Sequence, residues 1–198
     1  FLLLGLSTAI ATFGLIANSA PAIIGAMIIA PLMTPIMGLS FGVIRLSWPQ
    51  IARSAVTIVL GVAVVLASSF VSAVFIEIKV AGTEMLGRAF PSLLDLGVAM
   101  AAGAAGAYSL SRESIRASVA GVAISVSLVP PLAVAGIGLA LGRKATADVG
   151  ISFSELGLFS GGIDIAIGAF VLFLTNLAAI VVIAGIVMAI QGYARWGR

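Results

Sequence analysis

Long apolar runs, separated by short polar connections, dominate the pattern of hydrophobic and polar positions along this chain. A membrane-spanning helix needs about 20 mostly apolar residues, because the hydrocarbon core of a bilayer is about 30 Å thick. Six segments come close to this requirement: 1–17, 22–44, 54–76, 93–110, 117–141 and 163–190. The pattern therefore predicts an all-α, polytopic membrane helix bundle with about six transmembrane helices.

Composition strengthens this prediction. Of the 198 residues, 62% are hydrophobic and only 9% are charged, and the mean hydropathy is +1.29. Soluble domains are about a quarter charged, so a water-soluble fold of this length would expose far too much apolar surface. We expect a single transmembrane domain over residues 1–198, with the lipid bilayer of the cell membrane as its solvent.

The basic residues indicate an orientation in the membrane. They lie scattered between the apolar segments and form no patch, so we expect no nucleic-acid partner. With six spans, both termini lie on one side, which carries six basic residues: Arg45, Arg53, Arg112, Arg116, Arg195 and Arg198. The other side carries four: Lys79, Arg88, Arg143 and Lys144. Cytoplasmic loops carry the excess of Lys and Arg, so both termini are expected in the cytoplasm.

The chain has neither cysteine nor histidine. Disulfides, thiolate or imidazole metal sites and Cys or His catalysis are thereby excluded. No acidic pair at helical spacing offers another catalytic centre, so we expect no enzyme activity, no cofactor and no bound metal. The chain starts at Phe1 inside an apolar stretch, and we expect a truncated protein with a soluble portion missing upstream.

An internal repeat relates the second predicted span to the fifth. Residues 25–42 and 121–138 align without gaps at an offset of 96 residues, the separation of Gly25 and Gly121. Identical residues fall at Gly25 and Gly121, Ile28 and Ile124, Leu32 and Leu128, Pro35 and Pro131, and Gly42 and Gly138. Three spans in each half, about 1–80 and 88–192, give the halves opposite orientations. This is the inverted-repeat topology of many secondary transporters.

Two proline pairs occupy matching places in these spans: Pro31 with Pro35, and Pro130 with Pro131. Proline lacks the backbone donor and clashes with the carbonyl four residues earlier. We therefore expect the second and fifth helices to be broken, with carbonyls freed near residues 27, 31, 126 and 127. Nearby hydroxyls that could satisfy them belong to Thr34, Ser125 and Ser127. A plain packing kink is the alternative, but paired prolines at equal register favour a functional break.

Three stretches carry a resemblance to a known family: NSAPAIIGAMIIAPLMTPI (18–36), DLGVAMAAGAAGAY (95–108) and GVAISVSLVPPL (121–132). They resemble, in the expected order, the signature of the prokaryotic membrane family catalogued as domain of unknown function 389. The resemblance implies a multi-pass membrane protein, often with an additional soluble region. It implies little about activity and assigns no residue a role.

Two acidic residues begin predicted spans, and ionisable groups inside a membrane are usually functional. Asp95 follows Ser92 at the start of the fourth span, and Asp164 follows two glycines at the start of the sixth. Each could complement the helix dipole, with Ser92 and Asp95 forming a capping box. Alternatively, each could bind a cation or relay a proton. Gly103 and Gly106 would let another helix approach and leave Asp95 beside an interior cavity.

Uncharged polar residues add further candidates. Thr175 and Asn176 lie near the middle of the sixth span, where interhelical hydrogen bonding is favoured over ligand contact. Asn18 and Ser19 connect the first two spans as a turn and N-cap, with the lining of a site as the alternative.

The leading functional hypothesis is a transporter or channel-like protein for a small solute or ion, with a midplane site at the proline-broken helices. Its candidate pathway residues are Asn18, Ser19, Pro31, Thr34, Pro35, Asp95, Ser125, Ser127, Pro130, Pro131, Asp164 and Asn176. The alternative is a non-transporting membrane scaffold or sensor that couples to a soluble domain missing from this chain. Because 23 glycines favour tight helix packing, we also expect a homo-oligomer.

Overall fold

A computed structural model describes residues 1–76, 82–110, 119–142 and 162–193, together with the side chains of these ranges except those at 119–123, 125 and 126. Within these ranges the chain is helical and contains no strand. The helices are α1 (Leu2–Ile16), α2 (Ala20–Ile29), α3 (Met33–Ile44), α4 (Trp48–Val74), α5 (Thr83–Leu86), α6 (Leu93–Leu110), α7 (Val119–Leu141) and α8 (Gly162–Ile190).

Length and composition qualify three helices, α4, α6 and α8, to cross a membrane, and the bent pair α2–α3 makes a fourth candidate span. Helix α1 and the part of α7 with described side chains are apolar but shorter. The all-α membrane architecture is thus supported, although six full spans are not. Helix α4 begins six residues before the predicted start at 54, because Pro49 lies in its first turn, where no backbone donor is needed.

The predicted break in the second span is present and bends the chain by 59° between α2 and α3. Ala30 takes an extended conformation, with φ −72° and ψ 117°, because the residue before a proline is driven out of the helical region. Pro31 therefore ends α2. Pro35 lies in the first turn of α3, where its missing donor would have had no intrahelical acceptor.

The predicted break in the fifth span is wrong. Helix α7 runs without interruption through Pro130 and Pro131. Every residue from 127 to 138 is buried, so other helices hold this segment on all sides and no lipid reaches it. Packing around an interior helix can keep it straight where a lipid-exposed helix with two missing donors would unwind.

Three contacts between helix ends fix which ends lie together. The Asn18 side chain, after α1, accepts hydrogen bonds from the segment that begins α5. Gly138, near the end of α7, lies against Gly162 at the start of α8. At the opposite end of the bundle, Arg45 donates from Nε to the carbonyl of Tyr193 at 3.3 Å. Within the described ranges, these contacts agree with the alternation of sides inferred from the sequence.

The outer surface of the bundle is apolar. Large side chains such as Leu60 on α4, Val98 on α6 and Val182 on α8 are each at least half exposed. In water such a surface would be an aggregation hazard, whereas lipid tails solvate it without cost. The interior is packed closely through glycines: a Cβ on Gly103 would lie 2.8 Å from the carbonyl oxygen of Ile180, so α6 and α8 meet backbone to backbone.

Buried hydroxyls within this apolar bundle are mostly satisfied by backbone carbonyls. The Oγ of Ser7 donates across to Ala26 of α2 at 2.6 Å, and others donate to a carbonyl three or four residues earlier in their own helix. Those side chains are Thr8, Thr12, Ser40, Ser69 and Ser109. An unsatisfied polar group costs several kcal/mol in hydrocarbon, so this pattern is the expected one.

Candidate functional site

A cavity of about 400 Å³ lies between the short helix α5 and the helices α6, α7 and α8. Its lining mixes charged, polar and apolar groups. The lining residues are Thr83, Glu84, Gly87, Arg88, Asp95, Val98, Ser127, Pro131, Leu172 and Asn176. A concave site with a few converging polar groups is the usual form of a small-molecule site.

The deepest polar groups of the cavity come from α7 and α8. Asn176 is the middle residue of the 29-residue α8, and its Nδ2 donates to the backbone carbonyl of Ser127 at 2.9 Å. That carbonyl lies four residues before Pro131, so it is the one that loses its helical donor to this proline. The interhelical bond predicted for Asn176 therefore exists, and it repairs the defect that Pro131 introduces into α7.

Two further polar atoms at this place have no hydrogen-bond partner among the described protein groups: the Oγ of Ser127 and the Oδ1 of Asn176. Both residues are deeply buried, at 5% and 2% exposure. Leaving a buried polar atom unsatisfied costs about 1–3 kcal/mol, and such atoms in a native fold require an explanation. Ser127 thus departs from the pattern of the other buried hydroxyls, and it does so at the wall of the cavity.

A charged pair from α5 and the residues just after it lines the cavity. The guanidinium of Arg88 lies 2.7 Å from the carboxylate of Glu84, with each side chain about one quarter exposed. Asn18 holds this helix from the α1–α2 turn, where its φ is +51°. Its Oδ1 accepts from the Thr83 hydroxyl at 3.2 Å and from the backbone N–H of Glu84 at 3.0 Å. Asn18 thereby caps α5 and fixes the position of its charges.

Asp95 lies half-buried on the cavity wall at the start of α6. Its Oδ2 accepts from the hydroxyl and the backbone N–H of Ser92, at 2.6 and 3.1 Å, and Ser92 Oγ in turn accepts from the N–H of Asp95. The capping box anticipated from the sequence is present. Asp95 can both cap α6 and line the cavity, because the capping box uses only its Oδ2 and not Oδ1.

The cavity collects only part of the predicted pathway. Four predicted residues line it, namely Asp95, Ser127, Pro131 and Asn176, while Asn18 acts indirectly by capping α5. Ser19 is the N-cap of α2 but makes no capping bond through its side chain. The remaining candidates lie away from the lining: Pro31, Thr34 and Pro35 near the α2–α3 bend, Pro130 inside α7 and Asp164 at the start of α8. The side chain of Ser125 lies outside the described residues.

The space beside the α2–α3 bend is narrow and apolar, contrary to the expectation of a polar site at that break. It measures about 10 Å³ and is bounded by side chains such as Leu32, Ile36 and Phe173. The polar cavity lies instead at the intact proline helix α7. The site residues missed by sequence reasoning are Glu84 and Arg88, for which the i, i+4 spacing of opposite charges within a connection was the available signal.

Comparison with known proteins places the chain in context. The sequence model of a family described as a domain of unknown function (DUF389) matches residues 27–182. A protein of Methanocaldococcus jannaschii described as uncharacterized is 29% identical over 200 residues, which cover all of this chain and 56% of that protein. The chain thus spans little more than half the length of this relative. No solved structure matches.

Proposed function

Because this chain belongs to the DUF389 family, whose description assigns no activity, we propose a function from the site itself: a transporter or channel-like protein for a small polar solute or ion, with the α5–α8 cavity as the solute site. The observation that carries the proposal is the pair of unpartnered oxygens, Ser127 Oγ and Asn176 Oδ1, at mid-length of the bundle. These oxygens lie beside Pro131, one of the prolines at matching positions of the two predicted halves, and transporters commonly have their substrate site at such positions.

A ligand at these two oxygens would be energetically favourable. Neither oxygen has a partner within the protein, whereas buried hydroxyls elsewhere, such as those of Thr8 and Ser69, donate to backbone carbonyls. A cavity of about 400 Å³ beside them has room for a small solute together with several waters. A polar solute that passes through the cavity can form hydrogen bonds with these two oxygens and break them again.

Flux into proteoliposomes tests the proposal with a single introduced thiol, since the chain has no cysteine. We expect the purified protein to pass at least one of NaCl, KCl, glycerol and glycine in an osmotic swelling assay. In Ser127→Cys, a small water-soluble thiosulfonate should reach the thiol through the cavity and abolish that flux.

The matched control is Thr175→Cys, one residue from Asn176 on α8 but exposed on the outer face of the bundle. Its thiol would face lipid, so the reagent should leave flux unchanged, as in the unsubstituted protein. The proposal fails if no probe enters the vesicles, or if modification of Ser127→Cys leaves the swelling rate intact.

We also retain the inverted repeat as part of this proposal. Leu32 with Leu128, and Ile36 with Leu132, are partners at the repeat offset, and all four line the same narrow apolar space. Residues near a pseudo-two-fold axis are expected to meet their own counterparts in this way. Gly42 and Gly138, another such pair, each contact the start of the helix that follows them in the chain.

The orientation belongs to the proposal as well, with both termini in the cytoplasm. Leu46, after α3, and Phe75, after α4, are 89% and 84% exposed at opposite ends of the bundle. In intact cells, a membrane-impermeant maleimide should label Phe75→Cys, and it should label Leu46→Cys only after lysis. The reverse order of labelling would invert the assigned topology.

A second function is favoured by the dry packing at the α2–α3 bend, where apolar side chains leave almost no space. In this alternative the bend shapes a rigid scaffold or sensor that couples to a soluble domain beyond this chain. The flux assay separates the two functions, because a scaffold passes none of the probes.

A further inference from the structure

We propose that the solute of this cavity is a monovalent cation, bound at the cavity floor by Ser127 Oγ and Asn176 Oδ1 and attracted there by Asp95. This inference rests on the proposed function, since it names the class of solute that the cavity takes. It goes further because it follows from the chemistry of individual atoms rather than from the presence of a cavity.

The first argument is the orientation of the Asn176 amide. Only its Nδ2 can donate to the Ser127 carbonyl, which lies 2.9 Å away, because the amide oxygen has no proton. The atom left over is therefore Oδ1, which accepts hydrogen bonds or coordinates cations but cannot donate. An anion placed at this atom would meet a bare oxygen, whereas a cation would meet a ligand.

The second argument is the charge of the lining. Arg88 is neutralised by Glu84, with 2.7 Å between the charged atoms. Among the described lining residues this leaves the carboxylate of Asp95, whose contacts are with the uncharged Ser92. The net charge of the described lining is thus negative, and a cleft of one sign between low-dielectric walls raises the local concentration of oppositely charged ions.

The third argument decides the valence of the cation. Ca²⁺ and Mg²⁺ are held by several oxygen ligands, typically including more than one carboxylate, or retain much of their water. No group of three or more acidic, cysteine or histidine side chains that could hold a metal ion occurs among the described residues. One carboxylate with neutral hydroxyl and amide oxygens suits an alkali-metal ion or a small ammonium ion, and the volume admits either.

Binding is measured by thermal unfolding of the detergent-purified protein, at constant ionic strength set with N-methyl-D-glucamine chloride. Separate titrations with NaCl, KCl and methylammonium chloride distinguish metal from organic cations, and CaCl₂ tests the valence. At least one monovalent cation should raise the unfolding midpoint in a saturable manner, because a ligand that binds only the folded state stabilises it. CaCl₂ should not raise the unfolding midpoint further than that monovalent cation does.

Ser127→Ala is the decisive variant, because its hydroxyl has no partner in the protein and its removal should leave the cation-free midpoint unchanged or raised. We expect the half-saturating cation concentration to rise about tenfold, the loss of one ligand to a charged group. Asp95→Asn should weaken binding while its amide oxygen still accepts from Ser92. Thr175→Ala, whose hydroxyl donates within α8, should bind as the parent does.

Three results would overturn the inference. The first is a rise in unfolding midpoint that disappears when chloride is replaced by gluconate, and the second is a larger rise with calcium than with any monovalent cation. The third is an unchanged half-saturating cation concentration in Ser127→Ala. Failure here is distinguishable from failure of the proposed function. Thiol-blocked flux of glycerol or glycine without cation binding would refute the cation and keep the transporter. Saturable cation binding without any flux would support the site and refute transport.

Discussion

Replacing Asn176 with leucine should destabilise the protein by about 1–3 kcal/mol, the cost of leaving a buried carbonyl without a donor. The carbonyl concerned is that of Ser127, which receives Asn176 Nδ2 at 2.9 Å. Leucine is close to asparagine in size and apolar, so packing should change little. The loss can be followed as a lower midpoint of thermal or denaturant unfolding in detergent.

Combining this change with Pro131→Ala should recover much of the loss. Alanine restores the backbone N–H four residues after Ser127, which can then donate to the same carbonyl as in an ordinary helix. A double-mutant cycle should give a coupling of about 1–2 kcal/mol between positions 131 and 176. Thr175→Leu with Pro131→Ala provides the matched cycle, where additive effects are expected. Additivity in the Asn176 cycle would show that Asn176 does not compensate for the proline.

Two glycine-to-alanine changes on the same helix, α6, should affect stability differently. A Cβ at position 103 would lie 2.8 Å from the carbonyl oxygen and 2.9 Å from the Cα of Ile180, and backbone atoms cannot rotate away. Gly103→Ala should therefore push α6 from α8 and cost about 1–3 kcal/mol. At Gly97 a Cβ would meet nothing within 4 Å.

Gly97→Ala consequently serves as the control, and it should be neutral or stabilise by up to about 1 kcal/mol through the higher helix propensity of alanine. Both variants are compared by unfolding midpoint under identical conditions. Equal destabilisation by the two changes would mean that α6 does not contact α8 through its glycine face.

The apolar segments and local backbone chemistry were readable from the sequence. Pro31 ends α2 because a proline acts on the residue just before it, and Ser92 and Asp95 form their capping box because both partners lie within one turn. Such effects act over a few residues, so a single sequence contains all that is needed to foresee them.

Effects that depend on distant partners could not be foreseen in the same way. The sequence identifies the Ser127 carbonyl as the one that Pro131 frees. It does not show that Asn176, 49 residues after Ser127, donates to this carbonyl and lets α7 continue. Likewise, nothing local shows that Glu84 and Arg88 line the cavity. Their placement depends on the cap that Asn18 supplies from across the chain.

The hydrogen bonds from Thr83 and Glu84 to Asn18 have a mechanical meaning. They link the α1–α2 turn to the short helix α5, which lines the cavity together with α6, α7 and α8. The position of α5 in the cavity lining therefore depends on the α1–α2 turn, which does not itself line the cavity. A substitution at Asn18 would therefore displace the Glu84–Arg88 pair while leaving the cavity walls from α6, α7 and α8 in place.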